Sequence, residues 1–479
     1  MNGVNMTPSK HYKLNRKKER ILWIGLSLIL SFSIIALLFA PTVMAQSKAT
    51  ETQELLSLFE QVFYYVQNNY VEEVDPQSLI EGAFNGLFES LDDPFSYYLT
   101  DTDIRDLSDT TTGEFGGVGL YIQKQSELET GEGAPSYVLV VSPIEGTPAY
   151  RANIHAQDLI VEIEGESTAD LSIEEVMDRL RGVPGTEVTI TIKRGNIKFP
   201  VTLERAKIEI PVVKYEMMNN KIGYLRIIQF TPHTPSRVKE AIEDFKEQDF
   251  ESLIIDLRGN GGGLLESVVD TVDYFFDEGL IVGTESRIAY KNEKFEASPG
   301  KIIDKDIPIT VLVNNGSASA AEIMAGALKD RDRAILIGGQ TYGKGSVQEI
   351  RYISTGGFRL TMSRYYTPDG TIIDKVGIAP DVKITEPELT DAEEDSYMKL
   401  LEENRINKFV DDNPDPTERE IKSFIMKLKD EGIELREIFI RRLIQNNINR
   451  RMDFPPLYNL ELDKVLRKAV EMLEAGEVG

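Results

Sequence analysis

Between Lys207 and Pro387 short, largely apolar runs alternate with amphipathic ones, and this alternation constrains the fold more than any other feature of the chain. Ile222–Ile228, Leu253–Leu257, Ile307–Val313 and Ala334–Gly338 read as strands. Helical patterns lie between them at Pro235–Gln248 and Leu264–Phe276, and a third opens at Ser319. Strands with hardly any polar positions have both faces buried, as in a parallel sheet clothed by its crossover helices. The expected core is therefore αβ-alternating, with a mainly parallel sheet covered on both faces. A chain of 479 residues exceeds what one core organises, so two or three domains are expected.

Two turns in this region carry chemistry. The small-residue turn Asn314–Ala318 delivers Ser319 to the start of a helix, and a later loop holds Lys344 between Gly343 and Gly345. A serine hydroxyl is a poor nucleophile until a base takes its proton. A lysine serves as that base near neutral pH only if burial lowers its pKa. Packing against Tyr342 and Val347 would meet that condition, and Gln348 would orient the amine by a hydrogen bond without adding charge. At the helix start the amide of Ala320 is placed to donate to an oxyanion, with Gly262 or Gly263 of the Asp256–Gly263 stretch as second donor. Plainer uses of both residues stand beside this one. Ser319 and Glu322 form a Ser-x-x-Glu capping box, and spacing alone favours that reading. Lys344 also suits a surface hairpin. Gly338–Gly345 has the Gly-x4-Gly-Lys spacing of a phosphate loop, but Gly345 replaces the required Ser or Thr, and a strand (Ser346–Ile350) follows where a helix belongs.

Composition narrows the rivals. There is no cysteine, which excludes thiol catalysis, thiolate metal sites and disulfides. The only histidines are His11, His155 and His233, too few for a multi-histidine metal centre. His11 lies in the N-terminal tail, His155 reads as a solvated loop residue, and His233 among prolines has no partner motif. A formal net charge of −26 argues against nucleic acid as a partner.

Ahead of the core, residues 1–20 form a basic tail and 21–45 contain the apolar run Ile21–Ala40 followed by Val43-Met44-Ala45. Twenty apolar residues span a bilayer, and the basic flank stays cytoplasmic. A cleaved signal and a retained membrane anchor both fit, the length favouring an anchor, and either places the remainder outside the cytoplasm. Residues 46–110 are helical: Leu55, Leu56, Phe59, Val62, Phe63 and Val66 recur at helical spacing, and Pro76–Leu91 follows. That stripe suits a core face, with a dimerisation arm, and hence a homo-oligomer, as the alternative. Residues 111–206 look β-rich, with the strand patterns Val118–Ile122, Tyr137–Val141, Asp158–Glu162 and Glu187–Lys193 around a short helix, Ile173–Leu180. Gly116-Gly117-Val118-Gly119-Leu120, Ser142 to Ala149, and Asp158-Leu159-Ile160 resemble a PDZ domain. In that fold Gly117, Val118, Gly119 and Leu120 would hold a peptide C-terminal carboxylate while the peptide adds as a strand. Gln157 stands where such domains often have glycine, so that turn is expected to differ. Residues 388–479 are charged and helical, and arginine-rich Arg436–Ile448 reads as a solvated appendage or an assembly surface.

Ser317-Ala318-Ser319-Ala320-Ala321-Glu322 and Tyr342-Gly343-Lys344-Gly345-Ser346-Val347-Gln348 resemble the C-terminal processing (tail-specific) peptidase family. So do the Asp256–Gly263 stretch, Arg364 to Gly370, and Gly377-Ile378-Ala379-Pro380-Asp381; together the likeness runs from about Glu51 to Val382. The resemblance implies a Ser–Lys endopeptidase without metal or other cofactor. Ser319 would be nucleophile, Lys344 base and Gln348 its orienting residue, with Ala320 and Gly263 or Gly262 as oxyanion donors. It further implies capture of protein C-terminal tails by the PDZ domain, coupled to the active site through Arg181. Ala321 stands where many members have serine, and nothing in 388–479 matches a motif of the family. The expected architecture is thus α/β and α+β multidomain, with peptidase core 207–387 and inserted PDZ domain 111–206. A tail-binding scaffold without catalysis is the alternative function.

Overall fold

The structure, a computed structural model, describes residues 52–100, 103–104, 113–125, 135–144, 146–155, 157–195, 197–387, 389–452 and 455–478. The basic tail and the apolar run of 21–45 lie outside them. Among the described residues no helix is long and apolar enough to cross a membrane.

The described residues up to Asp92 form one unit, with helices α1 (52–69) and α2 (Pro76–Glu89). Pro76 occupies the first turn of α2, where no amide is needed, and the Asp75 carboxylate accepts from the amides of Gln77 and Ser78. The apolar stripe of α1 departs from the expected core face: Leu55, Leu56, Phe59 and Val62 are exposed, and only Phe63 and Val66 are partly covered. Helical periodicity marks a face as apolar without specifying what covers it.

The second unit begins at Asp93. After β1 (Tyr97–Leu99), the chain enters a β-rich module through β2 (Glu114–Gly117). The module continues through β3 (Leu120–Lys124), β4 (Val138–Pro143), α3 (Pro148–Arg151), β5 (Leu159–Ile163), β6 (Glu166–Ser167), α4 (Ile173–Leu180), β7 (Glu187–Arg194) and β8 (Ile197–Glu204). It leaves through β9 (Ala206–Glu209), which pairs antiparallel with β2. The main sheet has the order β3-β4-β5-β7-β8, so β3 is an edge strand. The period of two read in β7 is real: Val188, Ile190 and Ile192 point into a core shared with Val138, Val140, Ile160 and Val176. Gln157 reaches φ +71°, the left-handed conformation for which glycine is usual, so the turn keeps its shape without glycine.

The αβ-alternating core comprises β10 (Val213–Met217), β11 (Ile222–Ile227), α5 (Thr234–Glu247), β12 (Ser252–Asp256), α6 (Leu265–Asp273), β13 (Leu280–Glu285), β14 (Lys294–Glu296) and β15 (Ile309–Val313). It continues with α7 (Ala320–Asp330), β16 (Ile335–Gly338), β17 (Ser346–Ile353), β18 (Gly356–Tyr366) and β19 (Val382–Lys383). Six strands form a sheet of order β10-β11-β12-β15-β16-β19, antiparallel only between β10 and β11. Every residue of β12 and β15 is buried, as their apolar sequences require. Val238, Phe245, Val268 and Met324 from α5, α6 and α7 cover one face with Leu225, Ile255 and Val311. On the other face Tyr224, Ile254, Leu312 and Ile337 pack with Val465, Leu466 and Ala469. A second, antiparallel sheet joins β1, β18, β13 and β14, with β17 on the other side of β18.

The C-terminal region divides in two. Helices α8 (Asp391–Glu402), α9 (Arg405–Asp412), α10 (Glu418–Asp430) and α11 (Glu437–Asn449) surround their own core of Leu400, Val410, Leu428 and Ile440. The last helix, α12 (Lys464–Glu474), instead supplies the cover for the second face of the central sheet.

Candidate active site

Three turns at the carboxyl ends of β11, β12 and β15 are laced together by two buried polar residues. Asn260 donates from Nδ2 to the Ile227 carbonyl at 2.9 Å, accepts the Gly262 amide on Oδ1 at 2.8 Å, and accepts the Ala318 amide on its own carbonyl at 2.9 Å. Ser317 Oγ donates to the Leu257 carbonyl at 2.8 Å and accepts the Asn314 amide at 3.1 Å. Neither residue exposes any surface. Between these anchors Ser319 is forced to φ +55°, ψ −114°, a conformation costing a non-glycine residue about 1–3 kcal/mol.

Ser319 caps α7, and the box read from the sequence is present. Its amide donates to Glu322 Oε2 at 2.9 Å, while the Glu322 amide goes to the Ser319 carbonyl at 2.9 Å. The Glu322 amide also faces the Ser319 hydroxyl, closing the box without a full hydrogen bond to it. Fully buried, the Glu322 carboxylate also accepts from Thr341 Oγ1 at 2.5 Å and from the amides of Gly343 at 2.7 Å and Lys344 at 2.9 Å. One carboxylate thus ties the serine turn to the lysine loop.

The loop approaches its neighbours so closely that glycine is required. A Cβ on Gly345 would lie 2.1 Å from the Asp374 amide nitrogen, and Gly343 has φ +87°. Lys344 is half-buried, and its Nζ lies 4.7 Å from the centroid of the Phe95 ring. Tyr342, expected to cover the amine, is exposed; Phe95, held just ahead of β1, stands there instead. Burial lowers the Lys344 pKa, and the neighbouring Arg359 cation lowers it further, against the opposing pull of Glu322.

A cavity of about 810 Å³ is lined by Ser319, Lys344, Gln348, Gly262, Gly263 and Arg359, among others. Ser319, Lys344, Gln348, Gly262 and Gly263 are therefore gathered on one cavity, with Ala320 next to Ser319 in the chain. Two details differ from expectation. The Gly262 amide is already committed to Asn260, so Gly263 is the glycine whose amide can serve an oxyanion with that of Ala320. Gln348 does not bond the lysine: Nε2 donates to the Ser346 carbonyl and hydroxyl at 3.0 and 2.7 Å, and Oε1 accepts from Arg359 Nη2 at 2.8 Å. No hydrogen bond joins Ser319 Oγ to Lys344 Nζ either. Catalytic hydrogen bonds commonly close only when substrate binds.

In the β-rich module, Gly117 ends β2 and Leu120 begins β3. Between them the carbonyls of Val118 and Gly119 turn inward, accepting the amides of Ala149 at 2.9 Å and Ile144 at 3.0 Å. Gly119 has φ +82°, and a Cβ there would meet Thr147 at 2.3 Å. The Arg181 guanidinium lies over the Phe115 ring, 5.4 Å from its centroid. His233 pairs with Glu114 at 2.7 Å, and His155 lies beside Asn153.

Family models match three stretches of the chain. Residues 39–103 match the N-terminal domain of the activating protease CtpB, 139–194 a PDZ domain and 221–384 peptidase family S41. A carboxy-terminal-processing protease of Bartonella bacilliformis is 39% identical over 380 residues, spanning 77% of this chain and 83% of that one. A probable CtpA-like serine protease of Staphylococcus aureus is 33% identical over 382 residues, 79% of this chain and 75% of its own. Among solved structures, a photosystem II D1 C-terminal processing protease matches 68% of this chain and 86% of its own, at 30% identity and TM-score 0.40. The chain belongs to peptidase family S41, as a PDZ-bearing serine endopeptidase of the carboxy-terminal-processing kind.

Proposed function

We propose that Ser319 and Lys344 form the catalytic dyad of this endopeptidase, and that it cleaves extracytoplasmic proteins captured by their C-terminal tails. The observation that carries the reading is a single cavity holding a serine in a constrained backbone and a lysine whose amine is partly stripped of water. Neutral Lys344 takes the Ser319 proton as Oγ attacks the peptide carbonyl, and the amides of Ala320 and Gly263 receive the negative charge on its oxygen. Collapse of the tetrahedral adduct expels the amine, which takes the proton back from Lys344. Water then hydrolyses the acyl-enzyme by the same route in reverse. Gln348 steadies the neutral lysine once its carboxamide nitrogen is released from Ser346, its oxygen staying with Arg359.

In the β-rich module, inward-turned carbonyls at Val118 and Gly119 suit a loop that offers amides to a carboxylate. The edge of β3 left unpaired by the sheet is where an incoming tail would add as a strand. Lys124 secures the far end of that edge, donating to the carbonyls of Ala169 at 3.0 Å and Leu171 at 2.8 Å ahead of α4. Arg181, at the C-terminal end of α4, would relay tail binding to the cavity. The apolar run Ile21–Ala40 and its basic flank favour anchorage with the catalytic part outside the cytoplasm.

The test is cleavage of an apolar-tailed reporter by wild type, Ser319→Ala and Lys344→Ala. Each substitution should lower kcat/KM by about 10³-fold or more, with EDTA without effect. Equal cleavage by all three proteins would remove the dyad.

A further inference from the structure

Beside the dyad stands a cation that neither the sequence motifs nor the chemistry above employs. Arg359 sits in the middle of β18, opposite Tyr97 of β1 and Ile350 of β17. It is half-buried and lines the same cavity as Ser319 and Lys344. Nη2 donates to Gln348 Oε1 at 2.8 Å, and Nη1 lies at the 3.5 Å limit from the Tyr97 hydroxyl. No carboxylate among the described residues forms an ion pair with it, although Glu266 and Glu293 line the cavity. An uncompensated, partly desolvated guanidinium is costly to keep, and hydrogen bonding to an amide oxygen recovers only part of the cost.

We propose that Arg359 is a positioning residue of the dyad, gripping the Gln348 carboxamide by its oxygen while holding a fixed positive charge beside the Lys344 amine. This rests on the Ser319–Lys344 reading. The consequence is electrostatic as well as steric. A like charge disfavours the ammonium and so enlarges the fraction of Lys344 that is neutral and able to accept a proton. Other ionisable groups around the amine are few. Glu322 pulls the opposite way, Glu266 and Glu293 face the cavity, and burial pushes the Tyr365 phenol up to about 12, leaving it neutral. Arg359 is thus the charge that opposes Glu322, the carboxylate that the loop geometry cannot do without.

The experiment measures kcat/KM against pH for the full chain as wild type, Arg359→Gln, Arg359→Lys and Lys344→Ala on the apolar-tailed reporter. Wild-type activity rises with pH as Lys344 loses its proton. Loss of the Arg359 charge raises the lysine's pKa, so the midpoint in Arg359→Gln moves alkaline by about one pH unit, a tenfold loss on the acidic limb that is regained at high pH. Arg359→Lys keeps the charge, so its midpoint stays with wild type while kcat falls. An unmoved midpoint in Arg359→Gln, or an equal loss at every pH in both variants, overturns the proposal. Should Arg359→Gln not fold, a midpoint that moves up by a unit in Arg359→Lys does the same. Activity retained by Lys344→Ala would instead strike down the dyad itself, whatever Arg359 does.

Discussion

The Glu322 carboxylate accepts four hydrogen bonds, and only the one from Ser319 belongs to the helix it begins. The other three come from the lysine loop, so the proposed nucleophile and base are set against each other by one side chain. Glu322→Gln preserves size but turns one accepting oxygen into an NH2 group facing backbone amides. Leaving buried donors unpaired costs about 1–3 kcal/mol, which should lower Tm. A shift of the lysine loop by about 1 Å costs about 10²-fold in rate, and kcat should fall by that order with KM little changed. The carboxylate also raises the Lys344 pKa, so its removal should move the midpoint of the kcat/KM profile toward acid, opposite to Arg359→Gln. Measuring Tm and the pH profile together checks this. A stable variant with wild-type kcat would reduce Glu322 to a helix cap.

At the level of elements, the candidate active site is a set of turns following strands, and the Gly262–Gly263 turn after β12 is the tightest of them. Gly263 has φ +145°, and a Cβ there would sit 2.0 Å from the Phe230 carbonyl oxygen, so Gly263→Ala must displace the turn. Loss of one oxyanion donor costs about 10²–10³-fold in kcat. Gly261→Ala is the matched control: nothing lies within 4 Å of its Cβ, and it should retain near-wild-type kcat. Equal kinetics for the two variants would take the oxyanion role from Gly263. These turns were legible because the strands before them are largely apolar and the glycines adjoin them. Phe95 and Arg359 were not legible: β1 spans only Tyr97–Leu99 and meets β18 from across the chain, a pairing with no local pattern. Gln348 was found in type but not in contact, because a register shift between Val347 and Gln348 alters the phase of β17 where its side chain leaves the strand. Tyr342 shows the same limit, since adjacency to Lys344 in sequence does not place its ring on the amine.

For the whole molecule, the readable motifs end near Val382 and the S41 match ends at residue 384, yet the central sheet is completed only by α12. Sequence patterns set the end of the peptidase core at 387 because nothing in 388–479 repeats a motif; burial sets it elsewhere. Val465, Leu466, Ala469 and Val470 pack against Tyr224, Ile254, Leu312 and Ile337. Asp463, which caps α12 by accepting the Leu466 amide, also accepts Arg258 Nη1 and Nη2 at 2.9 and 2.7 Å. Arg258 in turn grips buried Asp256 at the end of β12, the strand that leads into the Gly262–Gly263 turn. A chain ending at residue 387 would expose four large side chains of the sheet, at about 1.5–3 kcal/mol each, a sum comparable with the whole stability of a domain. It should therefore fail to unfold cooperatively and should not cleave the reporter, although every proposed catalytic residue is present. Leu466→Asp in the full chain is the milder form of the same test and should lower Tm by several degrees without touching the cavity. Cooperative melting and wild-type kcat in the chain ending at 387 would show that α12 is dispensable and that the motif-based boundary was right. The opposite result would make the last helix part of the peptidase core, with Arg258 as the link between its cap and the oxyanion turn.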